Sequence, residues 1–114
     1  MKFLKILFTS ILIISLQVNA SERISKSERA AITSLSILSV YESKCADLTP
    51  FGYETYTQIV RDQENKGRNI YSLADYQEGL KRTLGFYNSN SSKVSCREIR
   101  KIIKSMPVFN QMIN

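Results

Sequence analysis

From residue 25 onward, apolar residues return every three or four positions, and each run follows a residue that starts helices. Ser25-Lys-Ser-Glu28 is a capping box, in which hydroxyl and carboxylate each satisfy an orphan backbone N–H. Behind it Ala31, Leu35, Leu38 and Cys45 keep the 3.6 period with Tyr41 beside them, which predicts a helix over 26–44. Thr49-Pro50 is an N-cap followed by a residue whose fixed φ suits the first helical position. Leu48 and Tyr53 flank that cap at staple spacing. The second helix turns Tyr56, Ile59 and Val60 inward and stops near Gly67. Ser72-Leu-Ala-Asp75 starts the third helix, with Tyr71 and Tyr76 at the staple positions. Leu73, Tyr76, Leu80, Leu84 and Tyr87 form its apolar stripe. Asn88-Ser-Asn-Ser-Ser92 reads as a loop. Ser95-Cys-Arg-Glu98 is a second full capping box, stapled by Val94 and Ile99. Cys96, Ile99, Ile102, Ile103 and Met106 are the expected buried face of the fourth helix, which Pro107 ends. Phe109, Met112 and Ile113 beyond it are expected to pack back as a short extra turn.

The segment before these helices has a different pattern. Residues 1–20 carry Lys2 and Lys5, then an apolar run from Ile6 to Leu16, then Val18-Asn19-Ala20, the small-x-small signature of a signal-peptidase site. The run is short and hydroxyl-rich for a span of ~30 Å of hydrocarbon. The expectation is a cleaved signal peptide over 1–20, a single helical domain over 21–114, and export to the periplasm or beyond. In an oxidising compartment Cys45 and Cys96, the chain's two cysteines, are expected to pair. Cys45 ends the first helix and Cys96 lies in the first turn of the fourth. An up-down-up-down arrangement brings those two points to one pole. The fold expected is therefore all-α, a small four-helix up-down bundle with a Cys45–Cys96 disulfide. With four Gly and two Pro, the chain is poor in the turn residues that a many-stranded β protein needs.

Charge and chemistry narrow the function classes. The chain has 16 Lys+Arg against 10 Asp+Glu and no His, a net charge of +6. Lacking His, it has no Ser-His-Asp triad, no Cys-His pair and no His-based metal or haem site. Glu54, Asp62, Glu64, Asp75 and Glu78 do not fall into an acid–base pair: Asp62 and Glu64 are two apart on a helix, and Glu78 sits at ion-pair spacing from Lys81 and Arg82. No catalytic residue, cofactor site or metal site is expected. The candidate partner-binding residues are basic and aromatic. Lys93, Arg97, Arg100, Lys101 and Lys104 share one face of the fourth helix, suited to an acidic protein or an anionic membrane surface. Lys66, Arg68 and Tyr71 sit in the connection Asn65-Lys-Gly-Arg-Asn-Ile-Tyr71, which is shaped to probe a cleft on a partner. Phe51, Tyr53, Tyr56, Tyr71, Tyr76, Phe86 and Tyr87 concentrate the aromatic surface between Pro50 and Asn88. Their bland role is core volume in a chain without Trp; any that face solvent near the 65–71 connection are interface candidates. Nucleic acid is not an expected partner, since no recognition motif is present.

The leader, Tyr41-Glu-Ser-Lys-Cys45, the stretch 72–87 and Val94-Ser-Cys96-Arg-Glu-Ile99 together resemble the periplasmic immunity proteins of type VI secretion amidase effectors. That resemblance spans about half of the chain beyond the leader and implies a stapled helical scaffold that neutralises a partner protein without chemistry of its own. A fainter resemblance is to small acid-stress periplasmic chaperones that link helices through one disulfide. The function expected is an exported, non-catalytic binding protein of immunity or inhibitor type. The alternatives are a periplasmic holdase, or an envelope factor held to the membrane surface by the basic face of the fourth helix.

Overall fold

Helix α1 (Lys26–Lys44) starts at the capping box: Ser25 Oγ accepts from the Glu28 N–H at 3.2 Å, and the Glu28 carboxylate accepts from the Ser25 N–H at 3.5 Å. This computed structural model describes residues 24–114, so the expected leader lies outside the described residues. The middle of α1 is buried on almost every side. Ile32, Leu35, Leu38, Val40 and Tyr41 are buried, and so are Ser34 and Ser36. Residues 34, 35 and 36 step 100° around the axis and cannot share one face, so α1 is a central helix rather than one with a single apolar stripe. Its serines make that possible. Ser34, Ser36 and Ser39 each donate a hydroxyl hydrogen bond to a carbonyl one turn back, on Ala30, Thr33 and Leu35. They are thus small, internally satisfied residues against which neighbours can close.

Helix α2 (Pro50–Asn65) is capped as expected, with Thr49 Oγ1 accepting from the Gly52 N–H at 2.9 Å. It ends where Gly67, at φ +77°, takes the left-handed position: the Gly67 N–H bonds to the Glu64 carbonyl and the Arg68 N–H to that of Gln63. α2 runs antiparallel to α1, because Tyr53 meets Glu42, Tyr56 meets Ser39, and Gln63 meets Glu28.

Two helix starts differ from the sequence reading. Helix α3 (Ala74–Ser89) begins after Leu73 with no side-chain cap. Ser72 belongs instead to a 3₁₀ turn, Ile70–Ser72, and gives both its N–H and its hydroxyl to the Asn69 carbonyl. Burial of Ile70 draws this turn inward and takes Ser72 away from the helix end. Helix α4 (Ser92–Lys104) begins a turn earlier than expected. Ser91 is its N-cap, accepting from the Val94 N–H, so the serine-rich stretch read as a loop shrinks to Asn90 and Ser91. Ser95 lies inside the helix, fully buried, and donates to the Tyr87 carbonyl at 2.9 Å. Its hydroxyl joins α3 to α4 instead of capping, and Glu98 turns to Arg97 and Lys101.

α3 lies parallel to α1, with Gly79 on Ser36 and the Tyr87 ring 5.8 Å from Lys44 Nζ. α4 returns antiparallel, joined to α1 at one pole by the Cys45–Cys96 disulfide, whose Cα atoms are 5.6 Å apart, and further along by Ser34 and Met106. The chain is therefore an all-α up-down-up-down bundle, and among the described residues it has no strand. Ile99 and Ile103 of α4 are buried, but Ile102 stays 47% exposed on the rim of that face. After Pro107 the backbone reverses at Val108, which holds φ +70°, a conformation that β-branched residues rarely adopt. The expected return of the tail is present as a 3₁₀ turn, Phe109–Gln111, followed by Met112 and Ile113, both buried. The tail docks on the start of α2: the Thr49 N–H and hydroxyl donate to the carbonyls of Met112 and Gln111.

Three stability outcomes follow. A Cβ at position 79 would overlap Ser36 Oγ, so Gly79→Ala should cost about 1–3 kcal/mol by overpacking. Gly85→Ala, also inside α3 but facing open space, should instead gain about 0.5–1 kcal/mol. Thermal unfolding of the two variants must move in opposite directions if the close crossing of α1 and α3 is right. The disulfide closes a loop across a separation of 51 residues, so Cys45→Ser/Cys96→Ser should lower urea-unfolding stability by roughly 2–4 kcal/mol.

Candidate functional site

The basic candidates are mostly engaged within the chain. Glu28, in the first turn of α1, accepts from Gln63 Nε2 at 2.8 Å, Lys66 Nζ at 3.1 Å and Arg68 at 2.9 Å. Lys66 and Arg68, read from sequence as a probe for a partner's cleft, thus tie the α2–α3 connection to α1, and the Arg68 side chain is only 12% exposed. These partners hold the Glu28 carboxyl at about 2 against an ordinary 4.5; the Gln63 amide contributes most, then Lys66, with the capping Ser25 adding to them.

The strip on α4 divides in the same way. Lys104 donates to the Asn110 and Ile113 carbonyls at 3.1 and 3.0 Å, and Arg100 to the Asn114 main-chain oxygen at 3.1 Å. Both cations therefore satisfy carbonyls of the returning tail, which no reading of α4 alone could foresee. Arg97 and Lys101 share Glu98 at 3.4 Å each. Lys93 is exposed, and among the described residues it makes no ion pair.

Among the large side chains that the fold leaves open are aromatic rings. Tyr53 on α2 and Tyr71 in its following connection are each more than two-fifths exposed, as is Phe51, which two residues of helix turn away from the Tyr53 side. Beside Tyr53 and Tyr71 lie two depressions, an inner and an outer lobe, that share Tyr56 as a lining residue. The inner lobe, about 160 Å³, is lined by Leu38, Ser39, Glu42, Leu48, Tyr53 and Tyr56. The outer lobe, about 320 Å³, is lined by Tyr56, Thr57, Val60, Arg61, Glu64 and Tyr71.

Hydroxyl chemistry fixes the shared Tyr56. The single Ser39 proton goes to the Leu35 carbonyl, so Tyr56 and Tyr76, each 2.9 Å away, both donate into Ser39 Oγ. The Tyr76 ring in turn meets Tyr71 edge-on at 5.3 Å. Burial, together with the neighbouring Tyr76 and Tyr71 hydroxyls, pushes the Tyr56 phenol far above the usual range and keeps it protonated. Tyr56 and Tyr76 are thereby anchored from inside by α1, and Tyr71 packs on Tyr76.

Sequence reasoning named Tyr53, Tyr56 and Tyr71, gave Leu48 only a staple role, and missed Ser39 and Glu42. A usable signal existed. In an antiparallel helix pair, positions equidistant from the connection face each other, which pairs Glu42 with Tyr53 and Ser39 with Tyr56. A further depression of about 270 Å³ lies between α3 and α4, lined by Ile37, Arg82, Thr83, Phe86, Ile99 and Ile102. Among the described residues there is no cluster of metal-ligating side chains, and no helix long and apolar enough to cross a membrane. No family model, curated protein or solved structure matches the chain.

The Glu28 hub has a pH signature. A carboxyl whose folded value lies below its unfolded one stabilises the fold fully above pH 4.5, and that contribution is lost as pH falls toward about 2. Chemical unfolding as a function of pH should show this acid limb. Glu28→Gln should lower stability at neutral pH and flatten the slope between those values.

Proposed function

We propose that this chain is an exported, non-catalytic binding protein that neutralises or regulates a partner protein, in the manner of an immunity protein or inhibitor. The observation that carries the reading is the open tyrosine face: Tyr53 and Tyr71 stand exposed beside two lobes that share Tyr56, whose hydroxyl is held by the Ser39–Tyr76 network. Tyrosine offers a large amphipathic contact area with little side-chain entropy to lose, and a face ordered before binding avoids much of the ordering cost of association. The disulfide supports export to an oxidising compartment. The basic strip supports a membrane or acidic-surface role less well, because four of its five cations already have partners in the chain. An acid-opened holdase would draw on carboxylates that protonate near pH 4. Glu28, which ties α1 to the α2–α3 connection, holds its proton off down to about 2.

Crosslinked affinity capture with the oxidised protein, from an envelope extract of its source cell, should recover one stoichiometric partner. Tyr53→Ala or Tyr71→Ala should each weaken that complex roughly tenfold or more, the loss typical of a hot-spot aromatic. Arg97→Ala/Lys101→Ala should leave it within about threefold, as rim charges do. A broad set of clients, or a complex that follows the α4 strip and ignores the tyrosines, would overturn the reading.

A further inference from the structure

The inner lobe has a chemistry of its own. It is lined by Tyr53, Tyr56, Ser39 and Glu42, with the buried Leu38 and Leu48 behind them. The Glu42 carboxylate meets the Tyr53 hydroxyl at 3.4 Å, and among the described residues neither Lys nor Arg pairs with it. Asp47 adds a second negative charge close by: its field and that of Glu42 both push the Tyr53 phenol upward, after partial burial of the ring. Both carboxylates lie near the C-terminal end of α1, where the helix dipole is negative and favours a cation. On a chain of net charge +6 this lobe is a local negative well with aromatic and aliphatic walls.

Size decides what fits. Sites for whole small molecules usually measure about 300–1,000 Å³. The lobe holds about 160 Å³, room for one long side chain. Such a side chain must be apolar along its stem, to lie against the Tyr53 and Tyr56 rings, and cationic at its tip, to meet Glu42. Cation–aromatic contact adds to the ion pair when the charge is partly desolvated.

We infer that the Leu38–Glu42–Leu48–Tyr53–Tyr56 lobe is a receptor for a single lysine or arginine side chain presented by the partner protein. This rests on the binding-protein reading and deepens it: the exposed tyrosines supply area, and the lobe supplies the point that discriminates. Charge selection works by contrast, since an acidic or neutral side chain in the same place leaves Glu42 facing a like charge or no partner.

The test uses the full oxidised protein and three small probes: the Nα-acetyl N-methylamides of lysine, arginine and norleucine. Titrations followed by amide chemical shifts should show saturable shifts at residues 38, 39, 42, 48, 53 and 56 for the two cationic probes, weakening as salt rises. Norleucine, which keeps the stem and lacks the charge, should bind at least about fivefold more weakly. Glu42→Gln should remove the preference for the cationic probes over norleucine. Tyr53→Phe, which keeps the ring, should retain it, and Tyr53→Ala should weaken all three probes. Retained peak dispersion in each variant establishes that it is folded. Equal shifts with norleucine, shifts centred elsewhere, or none with either cation would overturn the assignment. Because these probes need no natural partner, the lobe's failure is separable from failure of the partner capture. A captured partner whose affinity is unchanged by Glu42→Gln would also overturn the lobe while sparing the wider reading.

Discussion

Everything in this bundle is arranged around the closeness with which α1 can be approached. A helix enclosed on several sides has to present small groups where its neighbours cross, and α1 does so with Ser34 and Ser36 in the stretch where α3 brings Gly79 against it. The hydroxyls return to carbonyls of α1 itself, so burial leaves no unsatisfied donor there. That crossing fixes where α3 lies, and the serine-to-carbonyl bond from Ser95 to Tyr87 then fixes α4 on α3. The disulfide clamps the pole where α1 ends and α4 begins. Ser39 carries the same logic to the surface, because its position on α1 sets where the Tyr56 and Tyr76 hydroxyls must point.

The distribution of charge follows from the connections rather than from the helices. Glu28 serves twice, closing the capping box of α1 and collecting Gln63, Lys66 and Arg68 from the far end of α2. The returning tail presents carbonyls that no helix or strand satisfies, and Lys104 and Arg100 fill that need. A strongly basic chain thus uses many of its cations to hold itself together. What stays open beside them is a group of exposed tyrosines and a small lobe lined by Glu42, a surface unlike the one that the net charge suggests.

Helix content, antiparallel order and the cysteine pair were legible from periodicity and caps. The boxes at Ser25 and Thr49 and the stop at Gly67 are local events, decided within a few residues of backbone. The misplaced starts at Ser72 and Ser95 share one cause. A serine followed three residues later by an acid is a cap only if it sits at a helix end, and burial of Ile70 and of Ser95 put those ends elsewhere. Of the candidate site, the tyrosines were visible as residue types, but their exposure was not. Glu42 was not among the carboxylates weighed from sequence, because only the return of α2 brings Tyr53 beside it.

The sequence by itself determined what depends on near neighbours along the chain: four amphipathic segments, most of their ends, two cysteines placed to meet, and the absence of imidazole chemistry. Tertiary structure alone decided which cations are occupied and which tyrosines stand free, and which carboxylate faces a cavity. Those outcomes depend on residues from different helices meeting at hydrogen-bond distance. Such meetings are set by crossing geometry and by the path of the tail, neither of which is written in any single helical period.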